Sequence, residues 1–142
     1  MAGFYMMESM MEASVSVTTN EHSATRIDLV EKLKLFDDRW SPRIIAGLNG
    51  QEVKLAKLEG TFEWHSHSEE DELFLVLEGE FTMEFRERTV EVKEGQMIVV
   101  PRGVEHRPVA ARMCSVLLFE PAGLVNTGDA ESSDRTTTGT WI

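Results

Sequence analysis

Two histidines one residue apart, His65 and His67, open the stretch WHSHSEEDE, and the acids Glu69, Glu70, Asp71 and Glu72 follow in a row. On a strand, residues i and i+2 face the same way, so both imidazoles can converge on one point. A third histidine, His106, follows the turn Pro101-Arg102-Gly103. If that hairpin packs beside the first strand, its ring reaches the same place. Three imidazoles and a carboxylate suit a borderline divalent transition metal: zinc, iron, manganese or nickel. Such sites often keep positions open for water or substrate. Taken singly, a His-x-His pair on an acidic surface faces water, and His106 is a loop histidine. The flanking glycines and proline tip the balance toward a metal. His22 fits no pattern. No serine or cysteine nucleophile is paired with a base.

These side chains need strands to hold them. From Gly60 to Pro121 the chain reads as short strands broken by turns, at Glu78-Gly79, near Glu87 and at Pro101-Arg102-Gly103. Phe81, Met83 and Phe85 alternate with Thr82, Glu84 and Arg86. That period of two marks one buried and one wet face. Upstream, Asn49-Gly50 between apolar runs is a hairpin signal. Residues 25–36, TRIDLVEKLKLF, carry helical spacing, with Thr25 as cap and Ile27, Val30, Leu33 and Phe36 on one face. Trp40-Ser41-Pro42 ends that helix. Closely spaced strands without intervening helices predict an antiparallel sandwich or closed barrel.

The 142 residues suit one domain. A net charge of −11 repels nucleic acid and anionic membrane, which sets both aside as partners. No stretch approaches the roughly 20 apolar residues of a membrane span. Residues 1–24 are read as a flexible leader rich in methionine, without signal-peptide character. Residues 124–142 are read as a polar tail in which Trp141 is either packed or frayed. The single cysteine, Cys114, lies in an apolar run and is read as a buried, inert thiol; one cysteine fits a cytoplasmic location.

The motifs carry a family resemblance. Gly60, His65, His67, Glu72 and Gly79 follow the first motif of the cupin superfamily, and Gly95, Pro101, Gly103 and His106 follow the second. Two positions depart from it: Gly60 sits one residue closer to His65 than usual, and Ala110 replaces a final asparagine. The resemblance spans residues 60–110. More narrowly, HSHSEEDELFLVLEGEF, VVPRGVEHRPVA and LLFEPAGLVNTGD are similar to the small, single-domain, mannose-6-phosphate isomerase-like cupins. That label describes a fold and does not establish an activity.

The resemblance implies an all-β double-stranded β-helix, a jelly-roll barrel over residues 25–123, with a short N-terminal helix. It implies that His65, His67, Glu72 and His106 ligate one divalent transition metal. The position of Glu72 at the start of an apolar strand agrees, with Asp71 as runner-up. Met83, Phe85, Met97, Val99 and Phe119, with Phe74 or Leu75, are the expected pocket lining. Arg102 and Arg107 are read as surface arginines, Glu84 and Arg86 as a surface pair, and Trp64 as turned away from the pocket. The expected function is a metalloenzyme, of isomerase or dioxygenase type, on a small sugar- or carboxylate-like molecule. The alternative is a non-catalytic cupin that binds, senses or stores such a ligand. A homodimer is expected, joined through Arg43–Glu59 with Trp40 and Ile45 at the interface.

Overall fold

A computed structural model describes residues 24–142. The leader expected over residues 1–24 lies almost wholly outside them. After a short helix, α1 (Leu29–Leu33), come eight strands: β1 (Arg43–Leu48), β2 (Gln51–Thr61), β3 (Glu72–Glu78), β4 (Glu80–Phe85), β5 (Thr89–Lys93), β6 (Met97–Val100), β7 (His106–Pro121) and β8 (Thr140–Trp141). This is the expected all-β jelly roll with a short N-terminal helix. Among the described residues no helix is long and apolar enough to cross a membrane.

Strand β7 organises the barrel, because its two halves serve two sheets. Its first half pairs with β4, placing His106 opposite Phe85; its second half pairs with β3, placing Leu118 opposite Phe74. Along its other side it runs antiparallel to β2, with a register shift between Leu58 and Gly60. Strand β5 extends the β4 side, and β6 extends the β3 side. The sheets close over an interior of Ala56, Leu58, Phe62, Phe74, Val76, Phe81, Met83, Val92, Val100, Cys114, Val116 and Leu118. Two tight turns shape the connections. Asn49 and Gly50 both take positive φ, 51° and 74°, as a two-residue hairpin turn requires. Gly79 has φ 85°, and a Cβ there would lie 3.0 Å from the Met113 carbonyl oxygen, so glycine is needed on two counts.

The helix is shorter than its periodicity suggests. It is five residues long, and Asp28 caps it in place of Thr25, its Oδ1 accepting from Glu31 N at 3.1 Å. Ile27, Leu29, Leu33 and Phe36 pack on the outer face of the sheet against Ile45, Val53, Leu55, Leu77 and Leu117, while Val30 is exposed. A short helix has little stability of its own, so tertiary contacts choose which residues it keeps. Lys57 Nζ also donates to the carbonyls of Leu33 and Phe36, at 2.8 and 2.5 Å.

The C-terminal segment is packed. Leu124 and Thr127 are buried, and β8 pairs in parallel with β1, setting Trp141 beside Ile44. The expected interface needs correction. Trp40 and Ile45 are both buried within this one chain, and β2 has a strand on each side. Ile45 is a core residue beneath α1. Ile45→Ala is therefore expected to cost about 2–5 kcal/mol of folding stability. Thermal unfolding measures that loss, and the folded fraction should keep its mass in light scattering.

Candidate metal centre

The His-x-His stretch and the second histidine motif are stitched together by their backbones. His65 and His106 exchange both of their hydrogen bonds: His65 N donates to His106 O at 3.0 Å, and His106 N to His65 O at 2.9 Å. Gly103 N donates to His67 O at 2.7 Å, tying the Pro101-Arg102-Gly103 turn to the next ligand. Glu72 starts β3 directly opposite Val100 of β6. Register thus brings together four side chains distant in sequence. His65, His67, Glu72 and His106 are all buried, and one ligand atom from each lies within 4.8 Å of the others.

The rings are aimed as ligands need to be. His65 Nδ1 lies 2.9 Å from the Glu63 carbonyl oxygen, and His106 Nδ1 lies 2.8 Å from that of Val104. A carbonyl only accepts, so each Nδ1 carries the proton and each Nε2 keeps a free lone pair. Burial, then the nearby His106, pushes His65 down to about 4; burial, then His65 and His106, does the same to His67. Burial also lowers His106. All three rings are neutral at pH 7. The 3.6 Å separations of Glu72 Oε1 from His67 Nε2 and His106 Nε2 are accordingly neither ion pairs nor hydrogen bonds.

That spacing tests whether a metal fits. His67 Nε2, Glu72 Oε1 and His106 Nε2 are buried and have no hydrogen-bond partner. Each unmet polar atom costs about 1–3 kcal/mol. Two donors on one ion, at about 2.1 Å each, sit no more than about 4.2 Å apart. The widest allowed pair here, 4.8 Å, needs to close by only about half an ångström to meet that limit. The donor set, the orphaned atoms and the spacing all fit one divalent transition metal.

The neighbouring acid Asp71 is engaged elsewhere. Asp71 accepts from Arg102 N at 2.9 Å and pairs with its guanidinium, and these hydrogen bonds hold its carboxyl below the usual range. Arg107 pairs with Glu84 at 2.6 Å, and Arg86 pairs with Glu105, not Glu84. Trp64 faces away from the metal site and stacks between the guanidiniums of Arg86 and Arg107. Burial pushes the Cys114 thiol up to about 12, so it stays protonated.

Two cavities touch the ligands. The inner one has a volume of about 40 Å³ and reaches His65 and Glu72. Its apolar walls include Trp40, Leu58, Phe62, Phe74 and Leu118, and Asn126 adds its one polar group beyond the ligands. Asn126 is engaged on both atoms: Nδ2 donates to Arg135 O, and Oδ1 accepts from Thr137 N. Trp40 takes φ 57°, a conformation bulky residues avoid, and is held there by two hydrogen bonds. Its amide donates to Lys57 O and its indole to Glu59 O, and its ring stacks on Phe62. An outer cleft of about 300 Å³ borders His67, with Ser66, Ser68, Glu70 and Asp129 among its polar groups.

Most of the expected pocket lining lies elsewhere. Met97 and Val99 are 60% and 48% exposed on the outer face of β6. Phe119 follows Leu118, whose side chain takes the inner face, and so turns outward. Met83 is fully buried in the interior cluster, and Phe85 packs against it, but neither borders the cavity. Phe74 does. Parity is the cause: one residue of shift exchanges the two faces of a strand, and the outer face here is also apolar.

Three groups that the sequence did not point to support the ligands. Asp129, in the C-terminal segment, accepts from Ser66 N at 2.7 Å and from Ser66 Oγ at 3.1 Å. It thereby grips the residue between the two histidines. Gly128 beside it admits no side chain, since a Cβ would fall 2.3 Å from the Ser66 carbonyl oxygen. Behind Glu72 lie Lys54 and Glu120, both fully enclosed.

Fold and site together define a cupin. A cupin-domain family model matches residues 51–119, and the chain belongs to the cupin superfamily. It is 43% identical to a cupin-2 domain containing protein from Shewanella frigidimarina, whose crystal structure is known. That match covers 67% of this chain and 93% of the other, with a TM-score of 0.66. A protein of Neisseria meningitidis is 33% identical over 68% of this chain and 99% of its own, with a TM-score of 0.64. The uncharacterized protein YdbB of Bacillus subtilis is 39% identical over 64 residues, and the match spans 57% of that protein's length.

The neutral imidazoles make a spectroscopic prediction. In metal-free protein, His65 and His67 should titrate near 4 by NMR, far below the ordinary 6.5. The unfolded chain takes up these protons from about 6.5 downward, but the folded chain only near 4. Their contribution to stability is present above 6.5 and lost as pH falls through that window. Ring signals titrating near 6.5 would contradict the buried, neutral site.

Proposed function

We propose that this cupin holds one divalent transition metal on His65, His67, Glu72 and His106 and is an enzyme acting on a small organic molecule. The observation that carries the reading is the set of three orphaned ligand atoms, in a site whose Glu72 and His65 border an apolar cavity. When bound, the metal would supply Lewis-acid polarisation, or redox chemistry with dioxygen if it is iron. The protein's own residues do the rest. They present neutral lone pairs, exclude water with Trp40, Phe62, Phe74 and Leu118, and admit ligand along the ligand side of the barrel.

The cavity narrows the substrate class. Its 40 Å³ takes about three water-sized groups, enough for the reacting end of a ligand and not for a whole sugar. Beyond the ligands and Asn126, the walls of this inner cavity offer no hydrogen-bonding side chain to sugar hydroxyls, and they hold no acid or base. Proton-transfer isomerisation needs such a group within hydrogen-bond reach. The reading favours oxygen chemistry on a carboxylate- or enol-bearing molecule over a sugar isomerase of the mannose-6-phosphate isomerase type. The same lack of acid and base suits a non-catalytic binding cupin, and turnover separates the two.

The assembly we propose is a homodimer through β6, in the cytoplasm. Among the described residues β6 pairs only with β3, and its outward Met97 and Val99 leave an apolar edge that a second strand would cover. For the enzyme reading, the test is oxygen uptake by the iron-loaded protein with a panel of small phenols, enols and keto acids. Ala56→Leu fills the cavity without touching a ligand. It should keep one equivalent of metal and lose turnover at least about 100-fold, as misplacement of the reacting end would. Metal-loaded wild type that binds panel members but consumes no oxygen would overturn the dioxygenase reading in favour of the binding one.

A further inference from the structure

Among the described residues, two buried side chains outside the ligand set are of charged type, Lys54 and Glu120. Lys54 of β2 and Glu120 of β7 are 1% and 2% exposed, directly behind Glu72, itself 4% exposed. Register puts them there: Lys54 lies opposite Leu118 of β7, and Leu73 of β3 lies opposite Phe119, so Glu120 falls beside Glu72. Lys54 Nζ is 2.9 Å from Glu120 Oε1 and 3.7 Å from Glu52 Oε1, and donates to the Thr138 carbonyl at 3.2 Å. Glu120 Oε2 has no hydrogen-bond partner, and the Glu120 side chain lies against the Glu72 carboxyl. Glu72 Oε1 faces the imidazoles without a partner. A chain of contacts therefore runs from Thr138 through Lys54 and Glu120 to the ligand carboxylate.

Stability does not explain this arrangement. Burying an ion costs several kcal/mol, and apolar residues of similar size often serve a core as well or better. A role at the adjacent site does explain it. A carboxylate free to rotate can give a metal either one oxygen or two, and the second oxygen takes up a coordination position. One held in place presents a fixed oxygen.

We propose that Lys54 and Glu120 are positioning residues for the metal. They hold the Glu72 carboxyl in place so that it presents Oε1 to the metal, and in doing so they set the affinity of the site and the positions left open to ligand. This rests on the metal-binding reading above. Glu120 is the direct support, and Lys54 orients Glu120. Through Thr138, the C-terminal segment is joined to the same support.

Cobalt(II) loading tests this without any substrate. Affinity is read by chelator competition, and coordination by the visible absorption spectrum. Glu120→Ala and Lys54→Met should each weaken cobalt binding by roughly 10- to 100-fold and change the spectrum. Glu120→Gln can still accept from Lys54 and donate to Glu72, so it should keep the wild-type spectrum. Glu84→Gln, at the pair with Arg107, serves as the control and should change neither. Wild-type affinity and spectrum in both Glu120→Ala and Lys54→Met would overturn the proposal and leave the pair structural. If Glu120→Ala does not fold, Lys54→Met decides by the same two readouts. Wild-type protein that binds no cobalt would instead overturn the metal-site reading, a failure distinct from the first.

Discussion

Three buried ligand atoms without partners are the constraint around which this barrel is organised. His67 Nε2, His106 Nε2 and Glu72 Oε1 face one another at separations too long for hydrogen bonds and in a charge state that gives no ion pair. Folded proteins rarely leave such groups unmet. Much of the surrounding structure keeps them unmet and correctly aimed. The carbonyls of Glu63 and Val104 fix the tautomers of His65 and His106. The backbone exchange between His65 and His106 locks the two motifs in register, and Asp129 grips Ser66. A divalent cation resolves the whole set at once, because it needs neutral imidazoles and one ionised carboxylate at this spacing.

The barrel supplies the medium in which that resolution is strong. Packing Phe62, Phe74, Trp40 and Leu118 against the ligands removes water, and burial keeps the imidazoles unprotonated at neutral pH. The same burial raises Glu72, so the metal-free carboxyl is reluctant to ionise. Metal binding and ligand ionisation are thus linked. The position of Glu120 and Lys54 behind Glu72 belongs to the same economy of charge.

Much of this was legible in the chain. His65 and His67 share a strand face because side chains alternate, and Asn49-Gly50 and the glycines at 79 and 103 mark turns for conformational reasons. The ligand set followed from motif spacing, and the structure places those four residues together. What failed was parity. Strand β2 reads as an apolar face carrying Val53 and Leu55 and a wet face carrying Lys54. In the fold Leu55 lies outside beneath α1, and Lys54 lies inside. With both sheet faces covered by apolar residues, alternation shows that two faces exist without showing which one is the interior. Met97, Val99 and Phe119 were misassigned for that reason, and Lys54 and Glu120 were passed over because buried charges look like surface ones in sequence. The support from Asp129 and Asn126 was hidden differently, in a polar segment whose packing depends on contacts distant along the chain.

The most direct test of the account is metal content. Untagged protein purified without chelator should carry about one equivalent of a divalent transition metal by elemental analysis. His106→Ala removes one lone pair from the centre and should abolish it, by the 10- to 100-fold or greater loss that even supporting residues can cause. Wild-type protein that contains no metal, and gains no thermal stability from added zinc, iron, manganese, nickel or cobalt, would contradict the account at its root.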